Sequence, residues 1–124
     1  MTTRRIVLIA GMVLLCGCAG APPPFVAPAA SPLGELEALY AASAGREALT
    51  IRVGSNGCTT KADFAFYVER KGEAVTLAFG RKRLDSCKAF AMGHTDLSFS
   101  YAELGVPSRT PLFILNPFVP WTGP

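Results

Sequence analysis

Phe64-Ala65-Phe66-Tyr67-Val68-Glu69-Arg70-Lys71-Gly72-Glu73-Ala74-Val75-Thr76-Leu77-Ala78-Phe79 is the stretch whose reading decides the fold class. Phe64, Phe66 and Val68 alternate with Ala65, Tyr67 and Glu69. After Lys71-Gly72 the alternation resumes at Val75, Leu77 and Phe79. Successive side chains of a strand point to opposite faces, so a period of two marks a half-buried strand. Two such runs joined by a glycine-bearing turn predict a β-hairpin.

The same pattern extends on both sides. Upstream, Leu49, Ile51 and Val53 alternate with Thr50 and Arg52, and the turn cluster Ser55-Asn56-Gly57 follows. Downstream, Leu97, Phe99 and Tyr101 alternate with Ser98 and Ser100. Leu112 to Leu115 is continuously apolar between Pro111 and Pro117, which reads as a strand buried on both faces. Five short strands with turn chemistry between them predict a mainly β domain, a small antiparallel sandwich or barrel. One short N-terminal helix is expected before them. Ser31 suits its N-cap and Pro32 its first position; Leu33, Leu36 and Leu39 or Tyr40 recur at helical spacing, Glu35 and Glu37 occupy its first turn, and Gly45 stops it. Its apolar stripe reads as a packing face.

The N-terminal residues follow the plan of an export signal. Arg4 and Arg5 precede an apolar run from Ile6 to Leu15. That run is too short for a spanning helix, which needs about 20 apolar residues. It ends in Leu15-Cys16-Gly17-Cys18, which resembles the lipobox of bacterial lipoproteins. The resemblance implies a signal peptide over 1–17 and an acylated Cys18 carrying a diacylglycerol thioether and an N-acyl chain such as palmitate. Cys16 is the rival acceptor; it would put Leu15 at the cleavage position, where a small side chain is wanted. Ala19, rather than Asp, implies sorting to the outer membrane. An ordinary signal peptide cut near Ala19 or Ala21 would instead leave a soluble chain. The Pro- and Ala-rich stretch that follows, 18–32, reads as a semi-extended tether. The expected organisation is thus signal peptide, tether, one domain over 33–118 and a tail over 119–124.

Charge and cysteines bound the function further. Of 12 Lys and Arg, Arg4 and Arg5 would leave with the signal peptide, and the remaining ten nearly balance nine Asp and Glu. Near-neutrality removes the argument for nucleic-acid binding. A domain of about 75 to 90 residues buries only about 60 to 65 per cent of its unfolded surface and often needs a covalent staple. Cys58 and Cys87 are expected to pair in an oxidising periplasm. The pair would tie the loop before the second predicted strand to the loop after the third. Closing a loop of that length contributes about 3.5 kcal/mol in the chain-entropy description. A metal site is not expected, since His94 is the sole histidine and no Cys-x-x-Cys occurs. No cofactor is expected either.

The candidates for chemistry are few. His94 in Gly93-His94-Thr95-Asp96 has the near-neutral imidazole and neighbouring carboxylate of a general base. No Gly-x-Ser-x-Gly or other nucleophile context accompanies it, so His94 reads as an incidental loop residue and no catalytic residue is assigned. Arg81, Lys82, Arg83 and Lys88 are the only charge cluster. They would suit an anionic partner, such as a lipid head group or peptidoglycan carboxylates; alternatively they form a solvated strand end beside Glu69, Glu73 or Asp85. The tail from Asn116 to Pro124 carries two aromatics among prolines. It fits either an extended recognition segment or a cover for a sheet edge.

Gly57-Cys58-Thr59-Thr60-Lys61-Ala62-Asp63-Phe64, Ala102-Glu103-Leu104-Gly105 and Asn116-Pro117 resemble small exported proteins of proteobacteria. The resemblance spans about residues 48–118. It implies an envelope location and two spaced cysteines, and carries no catalytic or binding residue. The expected function is that of a periplasm-facing outer-membrane lipoprotein, a non-catalytic binding or accessory module. Its partners would be the membrane through the anchor and an envelope protein, peptidoglycan or an anionic glycolipid. The rivals are a small envelope hydrolase using His94 and Asp96, and an inhibitor or scaffold of another envelope enzyme.

Overall fold

The computed structural model describes residues 35–123. The signal peptide, Cys18, the tether and the Ser31-Pro32 helix start lie outside the described residues. Among the described residues six strands form two three-stranded sheets. The first sheet orders β1 (Ala41–Ala44), β2 (Ala48–Ser55) and β5 (Gly93–Ser100), with β2 central and both pairs antiparallel. The second orders β3 (Phe64–Lys71), β4 (Ala74–Arg81) and β6 (Leu112–Ile114), with β4 central.

The deciding hairpin forms as its alternation predicts. Phe64 pairs with Arg81 and Lys71 with Ala74, leaving Gly72 and Glu73 as the turn. Gly72 sits at φ 62°, a conformation that primed hairpin turns require at this position and glycine adopts freely. In the other sheet, β2 pairs with β5 over eight residues, from Ala48 with Ser100 to Ser55 with Gly93. The sheets meet through their apolar faces. Leu49, Ile51 and Val53 of β2 and Leu97 and Phe99 of β5 share one core with Val75, Leu77 and Phe79 of β4. Phe99 crosses between the layers, its ring 5.1 Å from Phe79 and 6.0 Å from Phe66. The result is a small mainly β, sandwich-like fold.

Three local expectations are overturned. Over its described part, the N-terminal helix is extended chain: Leu36 bridges Gly80 of β4, Leu39 bridges Phe118, and β1 follows directly. The N–H of Glu37 donates to Phe79 O, that of Leu39 to Pro117 O and that of Tyr40 to Arg52 O. This segment therefore stitches both sheets, and these distant carbonyls replace helical partners. Buried Asn116 holds it in place, accepting from Phe79 N at 2.8 Å and donating to Glu37 O at 2.8 Å and Phe79 O at 2.7 Å.

The second correction concerns Leu112 to Leu115. β6 is an edge strand of three residues, parallel to β4, with Phe113 60% exposed. The strand buried on both faces is β4, where every residue from Val75 to Gly80 is buried. Third, Tyr101 does not extend its strand. Ser100 caps the single α-helix of the described residues, α1 (Tyr101–Leu104), in a capping box: its hydroxyl accepts from Glu103 N, and the Glu103 carboxylate accepts from Ser100 N. Gly105 ends α1 at φ 65°, the left-handed C-cap geometry.

Candidate functional site

The chemistry-bearing side chains gather where the β4–β5 loop, residues 82–92, meets the end of β2. Cys58 and Cys87 are disulfide-bonded with Cα atoms 5.7 Å apart, tying the loop before β3 to the loop after β4 as expected. Between them sits Asp85. One carboxylate oxygen accepts from Asn56 N at 2.7 Å, Cys58 N at 3.1 Å, Ser55 Oγ at 3.1 Å and Thr59 Oγ1 at 2.7 Å. The other accepts from Cys87 N at 3.0 Å, closing an Asx turn. Burial pushes the Asp85 carboxyl up. The donors from Thr59, Cys87, Cys58 and Asn56 together outweigh that and hold it far below the ordinary carboxylate range.

Cys58, Asp85 and Cys87 offer three ligand atoms within 4.8 Å of one another. With the sulfurs bonded to each other and the carboxylate saturated by donors, the cluster acts as a structural brace in this state.

From Asp85 a polar chain runs to the N-terminal segment. Thr59 Oγ1 accepts from Arg81 Nη1 at 3.2 Å, and Arg81 reaches Glu37 through Nη2 at 2.6 Å and Gly54 O at 2.8 Å. The Arg81 guanidinium stacks over the Phe64 ring at 4.7 Å. Arg81 and Glu37 expose only 14% and 18% of their side chains. Their pair forms the polar floor of an open groove of about 620 Å³, walled by Leu36, Tyr40, Leu84 and Met92.

The basic run therefore does not act as one surface. Arg81 is committed to Glu37. Arg83 donates to Asp63 at 2.6 Å, and Asp63 also accepts from Thr60 N at 2.8 Å. The Thr60 N–H, then Arg83, hold the Asp63 carboxyl below its usual value. Lys82 and Lys88 are exposed and form no ion pair among the described residues. Of the four expected anion-binding cations, two carry free charge.

His94 lies on β5, not in a loop, and shares its outward face with Asp96 and Ser98. Asp96 is held by Arg52 of β2, whose Nε and Nη2 donate to its two oxygens at 2.7 and 2.8 Å. The Arg52 hydrogen bonds lower the Asp96 carboxyl, and proximity to His94 adds to this. The His94 ring packs 5.1 Å from Trp121, which in turn meets Tyr40 edge-on at 4.8 Å. No hydrogen bond joins His94 to a serine or cysteine among the described residues. The tail runs alongside Leu39, with Val119 N donating to Leu39 O.

Comparison with protein-family models, with curated proteins and with solved structures finds no match for this chain. The site therefore rests on its own geometry.

The sequence pattern assigned no site role to Asp85, Thr59 or Tyr40, and read Trp121 only as one aromatic of the tail. Asp85-Ser86-Cys87 carries the local signature of an Asx turn. Nothing local indicates that Tyr40 and Trp121 meet.

Proposed function

We propose that this chain is an exported, lipid-anchored protein of the bacterial outer membrane, facing the periplasm and acting as a non-catalytic binding or accessory module. The observation that carries the reading is the Cys58–Cys87 disulfide clamped around Asp85. Such bonds persist in oxidising compartments, in agreement with the lipobox-like Leu15-Cys16-Gly17-Cys18. The open groove beside the disulfide favours recognition of a surface over enclosure of a substrate. Asp96, engaged by two donors of Arg52, supports the binding reading against a His94–Asp96 hydrolase.

Metabolic labelling with an alkyne fatty acid tests the anchor. Label should appear in the wild type and vanish in Cys18→Ser. Label that survives there and disappears in Cys16→Ser would move the anchor; no label in the wild type would overturn the lipoprotein reading.

A further inference from the structure

The 82–92 loop exposes what a folded domain ordinarily hides. Phe90 is fully solvent-accessible, Leu84 is 83% exposed and Met92 58%. The loop is nonetheless braced at its base by the Cys87 disulfide and the five donors on Asp85. Lys82 and Lys88 flank the apolar side chains with ammonium groups that form no ion pair among the described residues. The loop's sole carboxylate, Asp85, is saturated by donors from the domain. The exposed part of the loop is thus apolar and cationic.

The position of the loop relative to the chain entry identifies its occupant. Glu35, the first described residue, and Leu36 line the same groove as Leu84 and Met92. The segment leading back to Cys18 therefore joins the domain beside this loop. Sixteen residues, 19–34, separate Cys18 from Glu35, enough chain for the domain to turn the loop toward its own anchor. Met92 also borders Tyr40 and Trp121, two aromatics suited to a boundary between apolar and wet surroundings. Three apolar side chains are too few for a stable protein interface, which takes about 800 Å² per partner. They suffice for a second, weak attachment beside an anchor that already confines the domain to the bilayer.

We infer that the 82–92 loop docks on an anionic phospholipid surface, with Leu84, Phe90 and Met92 entering the interface and Lys82 and Lys88 meeting head-group phosphates. The inference rests on the lipid-anchored reading for its membrane. Apolar insertion supplies attachment, and each lysine strengthens it roughly fivefold on an anionic surface.

The test is amide hydrogen exchange on the full acylated chain in nanodiscs of phosphatidylethanolamine with phosphatidylglycerol, against nanodiscs of phosphatidylcholine alone. The anchor is the same in both. Amides of 82–92 should exchange at least about threefold more slowly on the anionic discs. Phe90→Ser and the pair Lys82→Glu and Lys88→Glu should abolish the difference, and Phe113→Ser on β6 should preserve it. All these side chains are exposed, and an unchanged far-ultraviolet spectrum verifies folding. Equal exchange on both discs overturns the inference, as does retention on peptidoglycan sacculi without any response to phosphatidylglycerol. Failure of the anchor is visible separately, as a missing acyl mass. The unacylated chain is then mixed with a large excess of the same lipids as vesicles, so that weak attachment without the anchor is still read: co-sedimentation with the anionic ones alone supports the docking surface, and its absence at saturating lipid overturns it.

Discussion

Asp85 accepts the hydroxyl proton of Thr59 at 2.7 Å across 26 positions of sequence. Thr59 in turn accepts from Arg81, whose guanidinium holds Glu37. One carboxylate thus joins the disulfide corner, the end of β2, the end of β4 and the N-terminal segment. Its surroundings are mainly neutral donors, so it is stabilised as an anion without a direct ion pair.

Asp85→Asn should destabilise the domain most at neutral pH. The native carboxyl titrates below its unfolded value, near 3.9, so its stabilisation is full above that value and is lost as pH falls toward the native one. Urea midpoints of the two proteins should therefore converge as pH drops below about 4. A gap that stays constant down to pH 3 would refute the assignment.

Removing the disulfide should cost about 3 kcal/mol, a large part of a small domain's stability. Because Cys58 N and Cys87 N both donate to Asp85, loss of the bond should also loosen the donor cage. Cys58→Ala with Cys87→Ala and Asp85→Asn should therefore be non-additive in a double-mutant cycle. Strict additivity in thermal denaturation would show that the carboxylate and the staple act independently.

Asn116→Ala should cost about 2 kcal/mol by orphaning the buried Phe79 N–H and removing two donors from the Glu37 and Phe79 carbonyls. Asn116→Asp keeps the acceptor but loses both donors, and should be destabilised as well. Chemical denaturation measures both; a neutral Asn116→Ala would contradict the stitching role.

His94→Ala and Asp96→Asn should leave an envelope phenotype intact in a complemented deletion strain. The Arg52–Asp96 pair is 40% and 48% exposed, so its loss should also cost less than that of Asn116. A phenotype from His94→Ala in a normally folded protein would revive the hydrolase reading.

The sequence alone determined the β3–β4 hairpin, the core faces of β2 and β5, and the partner of Cys58. Alternation is a property of neighbouring residues, and burying one face leaves a single register open to it; Cys58 and Cys87 are the two cysteines among the described residues, which leaves one pairing there. Tertiary structure decided the rest. Leu36 and Leu39 carried a helical spacing, but the carbonyls of Phe79, Pro117 and Arg52 drew that backbone into two sheets. Leu112 to Leu115 looked doubly buried, yet it pairs as a parallel edge because β4 occupies the middle of its sheet. The run of Arg81, Lys82 and Arg83 looked like one charge patch. Glu37 lies 44 positions from Arg81, and Asp63 lies 20 from Arg83, so only the folded chain could divide the run into committed and free cations. In each case the deciding partner is far away in sequence, and its energetic weight is felt only once folding has brought it within hydrogen-bonding distance.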